Sequence, residues 1–174
     1  VADQSRQTSI ALRLELSPVR DCFVLGHPVV IDAVLHNITS APVRTGSLRS
    51  SLPRSLRLIG KGEGRPRSAI PNERYSVVSV PETYLVPGAS ERSRITIYPF
   101  PDRFRNELRN SLGPGDVFLD IPEAGQYYLS ATQWFPAELA ESLAISIRMP
   151  TDVELKALVG KGSAALTGEE IGVL

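Results

Sequence analysis

"IPEAGQYYLSATQWF", residues 121–135, decides how the rest of the chain is read. Glu123-Ala124-Gly125-Gln126-Tyr127 has the spacing acid-x-Gly-x-Tyr, and Tyr127, Leu129 and Ala131 then fall on one face. Successive side chains of a strand point to opposite faces, so Tyr128 faces away from Tyr127. A Tyr placed at such a corner packs its ring on a core. Its hydroxyl turns back to a backbone group across the turn, and the preceding Gly lets the chain bend.

The same period of two recurs on both sides of this stretch, while helical periodicity is scarce. In "SIALRLELS" (9–17), Ile10, Leu12, Leu14 and Leu16 share a face, with Ala11, Arg13 and Glu15 opposite. "GHP" (26–28) breaks the chain, and Val29, Ile31, Ala33 and Leu35 then alternate with Asp32 and His36. "NITSAPV" (37–43) supplies a turn and a return. "SLRLIG" (55–60) and "YSVVSV" (75–80) read as short strands, the first leaving through the hairpin-like "GKGEGRPR" (60–67). Pro87-Gly88 turns the chain before "SRITIY" (93–98), where Ile95 and Ile97 point inward. "DVFLDI" (116–121) offers Val117, Leu119 and Ile121, and "SLAISIRM" (142–149) offers Leu143, Ile145 and Ile147. Seven to nine such strands predict an all-β, two-sheet antiparallel β-sandwich.

Two stretches depart from alternation. "PDRFRNELRNSLGPG" (101–115) repeats Phe104, Leu108 and Leu112 every four residues and reads as an inserted short helix or long loop. Near the C-terminus, Thr151-x-x-Glu154 has capping-box spacing, and Val153, Leu155, Ala157 and Leu158 suit a short helix that Gly160 and Gly162 stop. The organisation expected is a flexible lead over 1–8, a sandwich over 9–149, and a helix over 150–174. That last part continues as a linker or the start of a further module.

The ordered set "G-x-P-V" at 26–29, "N-x-[ST]" at 37–39, "L-x-P-G" at 85–88 and "G-x-Y-x-L-x-A" at 125–131 resembles immunoglobulin- and fibronectin III-like domains of bacterial exported proteins. The resemblance spans about residues 9–149 and implies an immunoglobulin-like sandwich in an extracytoplasmic setting. It departs from antibody domains, having no cysteine pair and placing Trp134 after the corner.

The 174 residues, 42% of them hydrophobic, suffice for one domain with a substantial core. Lysine plus arginine equals aspartate plus glutamate, so no global field draws the chain to nucleic acid or a membrane surface. No apolar run approaches the ~20 residues of a membrane-spanning helix. The opening "VADQSRQTS", without Met, suits a chain whose leader has been removed. Cys22, next to Asp21 in the run "CFVL", reads as a packed or half-buried thiol, because an adjacent acid opposes thiolate formation. His27 and His36 lack partners at metal-ligand spacing and read as surface residues. There is no G-x-S-x-G elbow, and "GKGEG" lacks the Walker pattern. Neither a catalytic centre nor a cofactor is expected. Asn37-Ile38-Thr39 is a glycosylation sequon in form, a tripeptide that often occurs by chance.

Two surfaces stand out as contact candidates. Tyr128, Trp134 and Phe135, ahead of Pro136, form an aromatic group where a strand meets its loop. Residues 44–74 carry seven arginines, among them Arg54 and Arg57 on a strand and Arg65 and Arg67 in the following hairpin loop. That group suits an acidic protein or polyanion, but lacks the interleaved aromatics of a single-strand nucleic-acid platform. The expectation is a non-catalytic binding or spacer module that meets a protein or glycan through its end loops, with other domains of a longer chain as further neighbours. A protease inhibitor presenting residues 99–116 between Pro99, Pro101 and Pro114 is the alternative. A carbohydrate-binding module using Trp134 and Tyr128 is the third.

Overall fold

The computed structural model describes residues 11–71, 83–99, 116–131, 138–139 and 142–161. In chain order the strands are β1 Leu12–Pro18, β2 Cys22–Val24, β3 Val29–Asn37 and β4 Val43–Thr45. After helix α1 (Leu48–Ser55) come β5 Leu56–Gly60, β6 Arg67–Ser68, β7 Ile70–Pro71, β8 Thr83–Leu85 and β9 Ser90–Tyr98. The last elements are β10 Val117–Phe118, β11 Gly125–Ala131, β12 Glu138–Leu139, β13 Leu143–Arg148 and helix α2, Asp152–Lys161. One sheet has the order β12-β1-β3-β9-β10-β7 and the other β2-β13-β11-β5-β6, with β4 and β8 forming a separate ribbon.

The two sheets sandwich a core made by the alternating residues. Leu12, Leu14, Ile31, Leu35 and Ile95 come from the first sheet, and Leu58, Leu129, Ile145 and Ile147 from the second. All are buried in one cluster. The arrangement is an immunoglobulin-like sandwich, as the period-two pattern predicts. The sheets are mixed, however, and not purely antiparallel: β12 on β1, β10 on β9 and β2 on β13 run parallel. These are short strands outside the long central pairings. Their chain neighbours β11, β9 or β1 do not join them through tight hairpins, so no two-residue turn imposes the antiparallel sense.

The corner is formed as expected. Tyr127 is 2% exposed, and its hydroxyl donates to the Glu123 carbonyl at 2.7 Å. Burial pushes the phenol's pKa up. Tyr127→Phe is therefore expected to cost about 0.5–1.5 kcal/mol, the worth of one hydrogen bond, and Tyr127→Ala about 3–5 kcal/mol. Urea titration of both variants checks this. Equal, near-zero losses would contradict the corner.

Several expectations need correction. Arg54 does not lie on a strand: it belongs to the last turn of α1, inserted before β5. Arg67 opens β6 rather than sitting in the loop, opposite Leu58. Cys22 is exposed, because it occupies the outward position of an edge strand while Phe23 takes the inward one. Gly160 is inside α2, not beyond it. The inserted helix seen here is α1. The stretch 101–115 and the strand "YSVVSV" lie outside the described residues.

Helix α1, "LRSSLPRS", has no acid in its first turn and carries Pro53 inside. Tertiary contacts hold it instead. Leu48 and Leu52 are buried in the core, and the Glu91 carboxylate on β9 accepts from the Leu48 N–H at 2.9 Å, an anion at a helix N-terminus. Ser55 Oγ donates to the Leu52 carbonyl, and Arg57 Nη1 donates to the carbonyls of Arg54 and Leu56. At the other helix the capping box forms as its spacing predicts. Glu154 N donates to Thr151 Oγ1, and Thr151 N donates back to Glu154 Oε2. Arg148 then grips Glu154 with both terminal nitrogens, holding that carboxyl's pKa far below the usual range.

Candidate functional site

The residue that organises one end of the sandwich is Asn37, the last residue of β3. It is 3% exposed, and its side-chain capacity is taken up internally. Nδ2 donates to the carbonyls of Ala41 (2.8 Å) and Leu85 (2.7 Å), while Oδ1 accepts from the amide and the hydroxyl of Thr39, both at 2.8 Å. The main chain joins in: Asn37 N donates to Ala89 O and Gly88 N to Asn37 O. Both turns singled out in the sequence, Asn37-x-Thr39 and Leu85-x-Pro87-Gly88, are thus one hydrogen-bonded unit. The second is a tight turn with Ala89 N donating to Val86 O, and Gly88 at φ 72° takes the left-handed position open to glycine. A buried amide engaged at both ends is no glycan acceptor. Asn37 is structural.

What this unit holds outward is apolar. Ile38 is 54% exposed, Tyr84 64% and Val86 56%, three of the largest exposed apolar side chains among the described residues. Ile38 directly follows Asn37, and Tyr84 and Val86 flank Leu85, whose own side chain packs against the core. Arg44 stands opposite Tyr84 in the β4–β8 ribbon. Thr45 and Thr83 close the ribbon's inner end through their hydroxyls, 3.1 Å apart. The result is a set of exposed apolar side chains on two short loops braced from beneath.

The contact residues expected from sequence are dispersed. Tyr128 is on the outer face of the second sheet, 38% exposed, opposite Ile59 and Ala144. Arg57 shares that face, opposite Ser130, two positions along from Tyr128's partner. Its guanidinium is already engaged at the end of α1. Arg54 is exposed on α1 and Arg65 is exposed in the β5–β6 loop. Arg67 is half-buried and ion-paired to Glu63, whose other oxygen accepts from Gly60 N at 2.9 Å. That backbone bond, then Arg67, holds the Glu63 pKa below its ordinary value. A side chain on Gly60 would collide with the Glu63 carboxyl, its Cβ approaching to 2.8 Å. This hairpin is built around an internal ion pair. Trp134, Phe135 and residues 100–115 lie outside the described residues.

Sequence reasoning missed Ile38, Tyr84 and Val86. Ile38 sits inside a tripeptide that looks like a modification signal, and Tyr84 and Val86 look like ordinary outward strand positions. The available signal was the recurrence of a large apolar residue beside each of two turn motifs. Among the described residues no cluster of three His, Cys, Asp or Glu side chains could hold a metal. Among them, too, no helix is long and apolar enough to cross a membrane.

No protein-family model matches the chain, and no curated protein matches it. Among solved structures it is similar to part of the alkylpurine DNA glycosylase AlkC of Pseudomonas fluorescens, with a TM-score of 0.46 and 12% identity over 81% of this chain and 31% of that one. It is also similar to part of a β-glucosidase of Erythrobacter marinus (0.43, 12% identity, 79% of this chain and 15% of that one). A third similarity is to the CARDB domain of a Pyrococcus furiosus protein, with a TM-score of 0.35 and 9% identity over 79% of this chain and 87% of that domain. The chain thus spans less than a third of the first two proteins. None of these likenesses bears on activity, and the sandwich stands on its strand pairing.

Proposed function

We propose that this domain is a non-catalytic protein-binding module whose contact surface is the Asn37-braced end, centred on Ile38, Tyr84 and Val86. The observation that carries this reading is exposed apolar area on loops that are already ordered. Burying such side chains gains the full apolar transfer term, and a loop fixed in advance loses little conformational entropy on docking. Two of the three side chains are aliphatic, which favours a folded protein partner. Sugar rings stack best on a flat aromatic platform, and here Tyr84 is the single aromatic of the group. An extracytoplasmic setting, as one module of a longer exported bacterial protein, completes the proposal and rests on the motif order alone.

The test uses a triple variant, Ile38→Ser, Tyr84→Ser and Val86→Ser. The side chains are more than half exposed, so its melting temperature is expected to stay within a few degrees of the parent's. The immobilised parent domain should retain a discrete protein from extracts of the source cells, and the variant should lose at least about tenfold in affinity for it. Equal retention by the triple variant would sink the reading. So would retention of polysaccharide in place of protein.

A further inference from the structure

The outer face of the first sheet carries a second, chemically different feature. Ser17, Asp32 and Arg94 lie in register across β1, β3 and β9, and Val34 pairs with Arg92 in the next row. They line a shallow depression of about 550 Å³, together with Ser93. Arg94 donates from Nε to Asp32 Oδ1 at 2.8 Å and from Nη2 to Oδ2 at 3.1 Å. Both carboxylate oxygens are therefore engaged. That bond first, then the charges of Arg94 and Arg92, lower the Asp32 pKa, so the carboxylate stays ionised in its pair. The next acid on this face, Glu15, is 3.4 Å from His36 Nε2 and 3.7 Å from Arg13 Nε. It stands across from Val34 in the second row, with its oxygens turned to Arg13 and His36.

The depression thus holds two guanidinium groups and one carboxylate. Arg94 is fixed by Asp32 through one edge, which leaves its Nη1 edge for another acceptor. Arg92 projects from the same face two residues away, about 7 Å along the strand. Val34, opposite Arg92 in the second row, offers an apolar floor beside it.

We propose that this depression binds one glutamate side chain of an acidic peptide segment, with the carboxylate bridging Arg92 and Arg94 and its methylenes on Val34. The forked, planar guanidinium matches a planar carboxylate, and a pre-positioned Arg94 loses less side-chain entropy on binding than a free one. Asp32 acts here as a positioning residue. The site is separate from the apolar end and adds a charged requirement to any partner.

The probes are the peptide acetyl-Ala-Glu-Ala-amide, its Gln counterpart and inorganic phosphate, titrated at low salt into isotope-labelled protein while amide shifts are followed. The Glu peptide should give saturable shifts concentrated at Ser17, Val34, Arg92 and Arg94, with a Kd of roughly millimolar order from two charge-assisted contacts and the Val34 surface together. Arg92→Gln should weaken binding about tenfold with an unchanged melting temperature, because Arg92 is exposed. Arg94→Gln should weaken it at least as much. Three results would overturn the proposal: equal response to the Gln peptide, equal or tighter binding of phosphate, or undiminished binding by Arg92→Gln. None of them touches the apolar end, so failure here and failure of the docking reading are separable.

Discussion

Ile31→Asp is expected to leave no folded protein. Ile31 is fully buried in β3, paired with Pro18 on one side and Ile95 on the other. The substitution removes an apolar side chain worth about 2–5 kcal/mol and buries a carboxylate in the apolar core cluster, at several kcal/mol more. Together these rival the whole stability of a domain, about 5–15 kcal/mol. Its neighbour provides the control. Asp32→Ser removes an exposed ion pair with Arg94, worth about 0–1 kcal/mol, and should melt within a few degrees of the parent. Circular dichroism melting of the two variants reads both outcomes. The reverse pattern, with Asp32→Ser damaging and Ile31→Asp tolerated, would place the strand one residue out of register.

Asn37→Ala carries the second-largest expected effect, a loss of about 3–4 kcal/mol, read from the shift of the urea midpoint. The figure exceeds that of one ordinary hydrogen bond because the substitution removes one partner from each of four hydrogen bonds and leaves the other in place. The Leu85 and Ala41 carbonyls lose a donor, and the Thr39 amide and hydroxyl lose an acceptor. Leu85 and Thr39 are half-buried, so their groups recover only part of the lost interaction from water, whereas the exposed Ala41 carbonyl keeps the Thr39 hydroxyl. Asn37→Asp separates the two halves of this effect. It keeps the acceptor for Thr39, but sets a negative charge against two carbonyl oxygens, and should be no less damaging than Ala. A loss below about 1 kcal/mol for both would mean that the two turns are not tied through this side chain.

The contrast between Ile31 and Asn37 shows what could be read from the chain alone. Alternation along β1, β3, β9, β11 and β13 was legible, because a strand with one wet face must repeat every second residue. The corner at Tyr127 was legible for a similar reason: its partner, Glu123, is only four residues away. Asn37 was legible only as part of a turn and a chance sequon, because one decisive partner, Leu85, lies 48 residues off. Helix α1 escaped notice because its own sequence is a poor helix former, with its N-terminus satisfied by Glu91, 43 residues away. That mistake misplaced Arg54 and hid the role of Arg57, whose guanidinium finds carbonyls only because a helix ends there. The apolar end was invisible for the same reason. Ile38 and Tyr84 become neighbours in one structural unit only when two turns bond to each other.

Bonded to each other through Asn37, these two turns should behave as one preordered unit in the free protein. Amide hydrogen exchange at Thr39, Gly88 and Ala89 tests it most directly, since each of these N–H groups donates to an acceptor within the unit. Slow exchange is expected at all three, with acceleration of all three together in Asn37→Ala. Free exchange at Gly88 and Ala89 in the parent protein, at the rate of an open loop, would contradict it.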